Sequence, residues 1–166
     1  GCGWGQRIGP PMIPYGIEIS AGLHKIADER MRERGGYCLH GAGAEAIWEF
    51  DEEMFDGIVM FSYLEHEARV LEVMAGAHRA LKRTGAVFVR VPNFGSLNRR
   101  VIGPTWCGFR YPDHVNYFTL QSLRDVLGET LAGEQINEAL YCLDKAIMSY
   151  EQDLPKQEPS QLDPAN

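Results

Sequence analysis

Short apolar runs alternate with stripes of helical period from about residue 15 to residue 127, and this alternation limits what the chain can fold into. Residues 15–19 read as a short strand carrying Glu18 at its end. Ser20 is placed to cap a helix whose Leu23, Ile26, Ala27 and Met31 share one face, and Gly35-Gly36 closes it. Tyr37 to His40 is a strand candidate, and Ile58-Val59-Met60-Phe61 suits a strand buried on both faces. A helix over 67–82 is expected to bury Val70, Leu71, Met74, Ala77 and Leu81 and to end at Gly85. Ala86 to Val91 forms the next strand, stopped by Pro92. Strands separated by helices imply an α/β, doubly wound, Rossmann-like and mostly parallel sheet.

Residues 93–118 lose that rhythm. They hold Gly, Pro, Asn and aromatics without a clear period, which predicts a long lid. Phe94, Trp106, Phe109, Tyr111, Tyr117 and Phe118 argue that this lid is packed, and Trp106, Phe109 and Tyr117 read as packing residues. Thr119 can cap a helix with Leu120, Leu123 and Leu127 on one side, and a further helix over 134–150 carries Ile136, Leu140, Leu143 and Ile147. One domain is expected over 1–150, followed by a polar, proline-bearing disordered tail over 151–166.

Charge and cysteine usage exclude several functions. A net charge of -7 argues against a nucleic-acid binder, since phosphate backbones need a basic face. No run approaches the roughly 18 apolar residues of a membrane span, and no basic-then-apolar leader is present. Cys2, Cys38, Cys107 and Cys142 include no C-x-x-C pair. They read as free thiols of a cytoplasmic protein, and no metal site is expected.

The opening segment carries the functional signal. Gly1-Cys2-Gly3-Trp4-Gly5 is a glycine loop, and the acid Glu18 follows one crossover later. Glycines let backbone approach a ligand closely, and a carboxylate at a strand end accepts hydrogen bonds from ribose hydroxyls. An ordinary turn and a helix-start acid are the plain alternatives.

Further segments fall in a familiar order. They are Tyr15-Gly16-Ile17-Glu18-Ile19-Ser20, Phe55-Asp56 through Tyr63-Leu64-Glu65-His66, Leu81-Lys82-Arg83-Thr84-Gly85, Val91-Pro92-Asn93-Phe94, and Asp113-His114 through Tyr117-Phe118-Thr119. With the glycine loop, they resemble class I S-adenosylmethionine-dependent methyltransferases, closest to the ubiquinone-biosynthesis-like group, over roughly residues 1–127. The resemblance implies methyl transfer from S-adenosylmethionine to a small molecule. It places the cofactor against Gly1, Cys2, Gly3 and Gly5, with Glu18 at the ribose, Ile19 among the cofactor-binding residues, and Phe61, Ser62 and Tyr63 lining the site. Glu65 and His66 fall beside the substrate cleft.

Four departures from that pattern stand out. No first strand precedes the glycine loop, so the domain is expected to be truncated at its N-terminus. Only twelve residues separate Gly5 from Glu18, and Pro10, Pro11 and Pro14 interrupt them. The segment His40-Gly41-Ala42-Gly43-Ala44-Glu45 lacks the acid often found near the adenine, unless Glu45 substitutes. Residues 128–150 read as helix where the family ends in an antiparallel strand pair.

Methyl transfer from a sulfonium is an in-line displacement that depends on proximity and on excluding water. His66 and His114 are the candidates for a general base, because imidazole titrates near neutrality. Arg99, Arg100 and Arg110 make the lid basic, which would suit an anionic acceptor, although a solvated loop is the favoured reading of these arginines. A partial, non-catalytic domain with an interaction role is the alternative. A nicotinamide dehydrogenase fits less well, lacking the G-x-G-x-x-G spacing. Self-association as a homo-oligomer is left open.

Overall fold

The computed structural model describes Cys2, Gly3 and residues 8–130. Gly1, Gly5, the expected helix over 134–150 and the tail over 151–166 lie outside the described residues. Among the described residues four strands and five α-helices follow in chain order: β1 (Tyr15–Glu18), α1 (Ala21–Arg32), β2 (Tyr37–His40), α2 (Gly43–Ala46), β3 (Phe55–Phe61), α3 (Val70–Ala80), β4 (Leu81–Arg90), α4 (Leu97–Ile102) and α5 (Leu120–Thr130). Short 3-10 turns occupy Ile47–Glu49, Leu64–His66 and Gly103–Thr105.

Among the described residues every strand pairing is parallel, as the alternation predicts. β1 pairs with β2 across α1, in register from Tyr15 opposite Tyr37 to Glu18 opposite His40. β3 pairs with β4 across α3, from Gly57 opposite Ala86 to Phe61 opposite Arg90. The strands form two two-stranded sheets, and no antiparallel pair occurs among the described residues. The two sheets run the same way. Tyr15 and Phe55, which begin β1 and β3, have ring centroids 5.5 Å apart. Beyond the strand ends, the Tyr63 hydroxyl after β3 lies against Gly43 after β2.

Side-chain alternation assigns the faces. Tyr15, Ile17, Tyr37 and Leu39 pack with Ile47, Phe50, Phe55 and Ala80, while Cys38 packs on the opposite face with Ala27 and Met31 of α1. The larger core joins Met60, Val87 and Val89 of the strands to Val73, Met74 and Ala77 of α3 and Leu123 and Leu127 of α5. Among the described residues no helix is long and apolar enough to cross a membrane.

Several local expectations are corrected. The Ser20 hydroxyl makes no cap bond; instead the Ser20 N–H donates to Glu18 Oε1 at 3.0 Å. Ile26 and Leu71 sit on the rims of their helices, 37% and 50% exposed. Helix α1 ends as predicted: Gly35 takes φ +84°, and the Gly36 N–H returns to the Met31 carbonyl at 2.9 Å. The helix expected to reach Lys82 stops at Ala80, and Leu81 already belongs to β4. Between Phe55 opposite Leu81 and Gly57 opposite Ala86 the register slips, so residues 82–85 bulge out of the ladder. The stretch 93–118 is not featureless, since it contains α4 and the 3-10 turn at Gly103–Thr105. Its rings pack together: Phe94 lies edge to face with Trp106 at 6.2 Å and Phe109 at 5.7 Å, and Tyr117 lies tilted at 5.5 Å from both Phe94 and Phe109.

Candidate functional site

Glu18 ends β1 with its side chain turned inward, and the residue is 4% exposed. Its Oε2 accepts the Gly3 N–H at 2.8 Å and its Oε1 accepts the Ser20 N–H at 3.0 Å. The Cys2 N–H donates to the Ile17 carbonyl at 2.8 Å, so the glycine segment is tied to β1 through backbone and carboxylate together. Gly3 has φ +59°, and open space lies where its Cβ would be. An ionised carboxylate offers about four acceptor positions, and the two backbone donors leave about two for a ligand diol.

Cys2 Sγ lies 3.3 Å from Cys38 Sγ. The Cys38 hydrogen bond lowers the Cys2 thiol from its ordinary range, and the same contact, followed by burial, raises Cys38. Ile19, by contrast, is 67% exposed at the strand end.

The end of β3 supplies the second part of the site. Phe61 lies under the Arg90 guanidinium at 4.9 Å. Ser62 takes φ +51°, and its N–H donates to the Arg90 carbonyl at 2.9 Å, which turns the chain out of the sheet. Tyr63 is half-buried and donates its hydroxyl to Glu67. Burial, then the Glu67 bond, pushes its phenol above the usual range.

The segment Gly41-Ala42-Gly43 joins these two parts. The Gly41 N–H donates to the Glu18 carbonyl at 3.2 Å, and a Cβ on Gly43 would stand 1.9 Å from the Tyr63 hydroxyl. Sequence reasoning missed this bridge, although two glycines just past a strand were the available signal. Glu45, the candidate substitute acid, is instead paired with Arg69 at 2.7 Å.

The histidines meet at the third part. His66 and His114 have ring centroids 4.7 Å apart at near right angles. His66 Nδ1 faces the Asp113 carbonyl at 2.8 Å, and His114 Nδ1 faces the Gly108 carbonyl at 2.9 Å. A carbonyl only accepts, so each Nδ1 carries a proton, and in the neutral imidazole each Nε2 keeps a lone pair. Glu65, 2% exposed, lies beside them, and its Oε2 is buried with no hydrogen-bond partner. Asn116 clamps the segment: its Nδ2 donates to the Leu64 carbonyl at 2.9 Å and the Glu67 carbonyl at 2.6 Å. The Val115 N–H adds a bond to the Glu65 carbonyl at 2.8 Å. Neither Glu65 as a side chain facing both histidines nor Asn116 as a clamp was legible, because their partners lie far along the chain.

In the lid, Arg110 pairs with Asp113 at 3.1 Å, while Arg99 lies 4.2 Å over the Phe94 ring with its Nε buried and unpartnered. Arg100 is exposed.

Residues 2–130 match the family model described as a methyltransferase domain. Comparison with curated proteins returns no significant match. Among solved structures, one similar chain is a S-adenosylmethionine-dependent methyltransferase from Thermotoga maritima, described as a possible histamine N-methyltransferase. It is 22% identical with TM-score 0.55, over 70% of this chain and 53% of that one. A S-adenosylmethionine-dependent methyltransferase from Archaeoglobus fulgidus is 16% identical with TM-score 0.54, over 70% of this chain and 49% of that one. The [4+2]-cyclase SpnF is 18% identical with TM-score 0.56, over 92% of this chain and 60% of that one. The chain thus spans about half the length of the first two structures, and these likenesses establish the α/β Rossmann-like fold. That a cyclase shares it shows why the reaction must be argued from the site.

Proposed function

The chain belongs to the methyltransferase domain family, and from that membership we propose that it binds S-adenosylmethionine and transfers its methyl group to a small-molecule acceptor. One observation carries the reading: the buried Glu18 carboxylate fixes the glycine segment through the Gly3 N–H and keeps acceptor capacity for two ribose hydroxyls. When bound there, the cofactor supplies an electrophilic methyl group on sulfur. The chain's own residues do the rest. Gly3 gives room for close backbone approach, joined in this reading by Gly1, Cys2 and Gly5, with Ile19 at the rim. Phe61, Ser62 and Tyr63 close the site from β3, and His66 and His114 face the acceptor with their Nε2 lone pairs.

The same reading extends to finer points. The segments around Glu65-His66 and Asp113-His114 support a place near the ubiquinone-biosynthesis-like group. Arg99, with a buried and unpartnered Nε, and the exposed Arg100 favour an acceptor carrying phosphate or carboxylate. Free thiols at Cys2, Cys38 and Cys107 support a reducing, cytoplasmic setting.

Calorimetric titration of the chain with S-adenosylmethionine and, separately, with NAD tests the proposal. Micromolar binding of the first alone is expected; uptake of NAD, or of neither, would overturn it. Glu18→Ala removes charge-assisted hydrogen bonds worth about 1.5–3 kcal/mol each, so with two ribose hydroxyls bound S-adenosylmethionine affinity should fall by roughly 100-fold or more.

A further inference from the structure

We propose that Glu65, His66 and His114 bind a divalent first-row metal ion of the zinc type, leaving a coordination position open for an oxygen of the methyl acceptor. The role given to the acceptor rests on the methyl-transfer reading; the metal site itself does not.

The donor atoms are already gathered. One ligand atom from each of the three residues lies within 4.8 Å of the other two. In their neutral forms both imidazoles take the tautomer a metal needs, with Nδ1–H donated to the Asp113 and Gly108 carbonyls and Nε2 as the nitrogen that would coordinate. Histidines that ligate metals are held this way, with the second nitrogen bonded to a carbonyl or carboxylate. Asp113 strengthens the arrangement, since its Oδ1 also stands 3.3 Å from His66 Nδ1.

Glu65 supplies the independent observation. Its carboxylate is buried, its Oε2 has no partner, and the nearest cationic candidate, His66 Nε2, is 4.0 Å from Oε1. A buried carboxylate oxygen left without a donor is costly, and a cation at this point would satisfy it. The backbone around Glu65 is pinned by the Val115 and Asn116 N–H groups, so the side chain cannot easily turn to water. The ring of His66 is 32% exposed, which leaves one side of the cluster open to an incoming ligand.

Two imidazoles and one carboxylate suit zinc or ferrous iron; magnesium and calcium prefer oxygen throughout. Three protein ligands with an open position are the arrangement of a catalytic rather than a structural zinc. A bound divalent ion brings the pKa of a coordinated water or hydroxyl toward neutrality, so the acceptor hydroxyl would pass its proton to solvent at the exposed side of His66. Its oxygen would then bond the methyl carbon as the methyl–sulfur bond breaks and S-adenosylhomocysteine leaves. In this account the two Nε2 lone pairs hold the ion and do not themselves take the proton.

The test is calorimetry of the full 166-residue chain, freed of metal by a chelator and titrated with zinc alone. One equivalent bound at micromolar or tighter affinity is expected, unaffected by millimolar magnesium. Glu65→Gln and His66→Ala should each weaken zinc at least tenfold, whereas a Cys2→Ser, Cys38→Ser, Cys107→Ser, Cys142→Ser chain should bind as before. With cobalt as the probe, the spectrum should show ligand-field bands without thiolate charge transfer. No zinc binding, binding lost with the cysteines, or Glu65 and His66 variants that bind like the parent would each overturn the site. His66 lies at the surface, so His66→Ala decides the matter even if a change at a buried ligand unfolds the chain. S-adenosylmethionine titration of the metal-free chain is read separately: if it fails while zinc binds, the methyl-transfer reading falls and the metal site stands.

Discussion

Gly43 and Tyr63 illustrate how closely single residues are fitted where β2 and β3 end. The Tyr63 hydroxyl occupies the space a side chain on residue 43 would need, with the nearest approach 1.9 Å. Gly43→Ala should therefore push the phenol off Glu67 and destabilise the fold by about 1–3 kcal/mol. Tyr63→Phe removes the hydroxyl, so in urea denaturation the double variant should lose less than the sum of the two single changes. An additive result would disprove the contact. The same phenol sets a pH dependence. Burial and Glu67 raise its pKa, so the folded chain retains a proton that the unfolded chain releases. Stability is full below the unfolded phenol's pH of about 10 and declines above it. Tyr63→Phe should shift alkaline unfolding, followed by circular dichroism, to higher pH. Tyr37, raised mainly by burial, keeps a remainder in place. At this scale the sequence was readable where chemistry sits on neighbouring residues. Glu18 declared itself by ending an apolar run behind glycines. The importance of Glu65 did not, because its orphaned oxygen exists only once the segment holding His114 folds over it.

Helix α5 shows how an element is secured from both its end and its face. The Thr119 hydroxyl accepts the Ser122 N–H at 3.1 Å, and the Ser122 hydroxyl accepts the Thr119 N–H at 2.9 Å. This reciprocal cap satisfies donors the helix leaves free. Leu123 and Leu127 are 1% and 0% exposed in the core shared with α3. Thr119→Ala should cost about 1 kcal/mol and Leu127→Ala about 2–5 kcal/mol. Equal losses in chemical denaturation would contradict that ordering of cap and core. Both features were legible, since a threonine before a leucine stripe is a local pattern. The start of β4 was not. Leu81 continues the apolar spacing of α3, and only its pairing with Phe55 decides that it is strand. The short helix α2 and the 3-10 turn after it escaped notice for a related reason: Ala44, Ala46 and Ile47 are buried by tertiary contacts rather than by an amphipathic period.

For the whole molecule, the alternation of strand and helix conveyed the parallel α/β arrangement, and the glycine-and-acid spacing picked out the end of β1, where Glu18 holds the Gly3 N–H. What it could not convey is that the described strands group as β1–β2 and β3–β4. Each pair is closed by the single helix between its strands, α1 for one and α3 for the other. Where β1 and β3 begin, an aromatic and aliphatic cluster around Tyr15, Phe50 and Phe55 joins the two units, and where β2 and β3 end the Gly43–Tyr63 contact and the Glu45–Arg69 pair do so. That grouping has a kinetic consequence. Either unit can form over its own short connection, without waiting for distant residues to find each other, and loop closure of that length is entropically cheap. Native-state hydrogen exchange should then resolve two opening events, one releasing the amides of Tyr37–His40 and the other, at higher free energy, those of Val87 and Val89 beneath α3 and α5. The half of the molecule that holds Glu18 is thus the half expected to open more often.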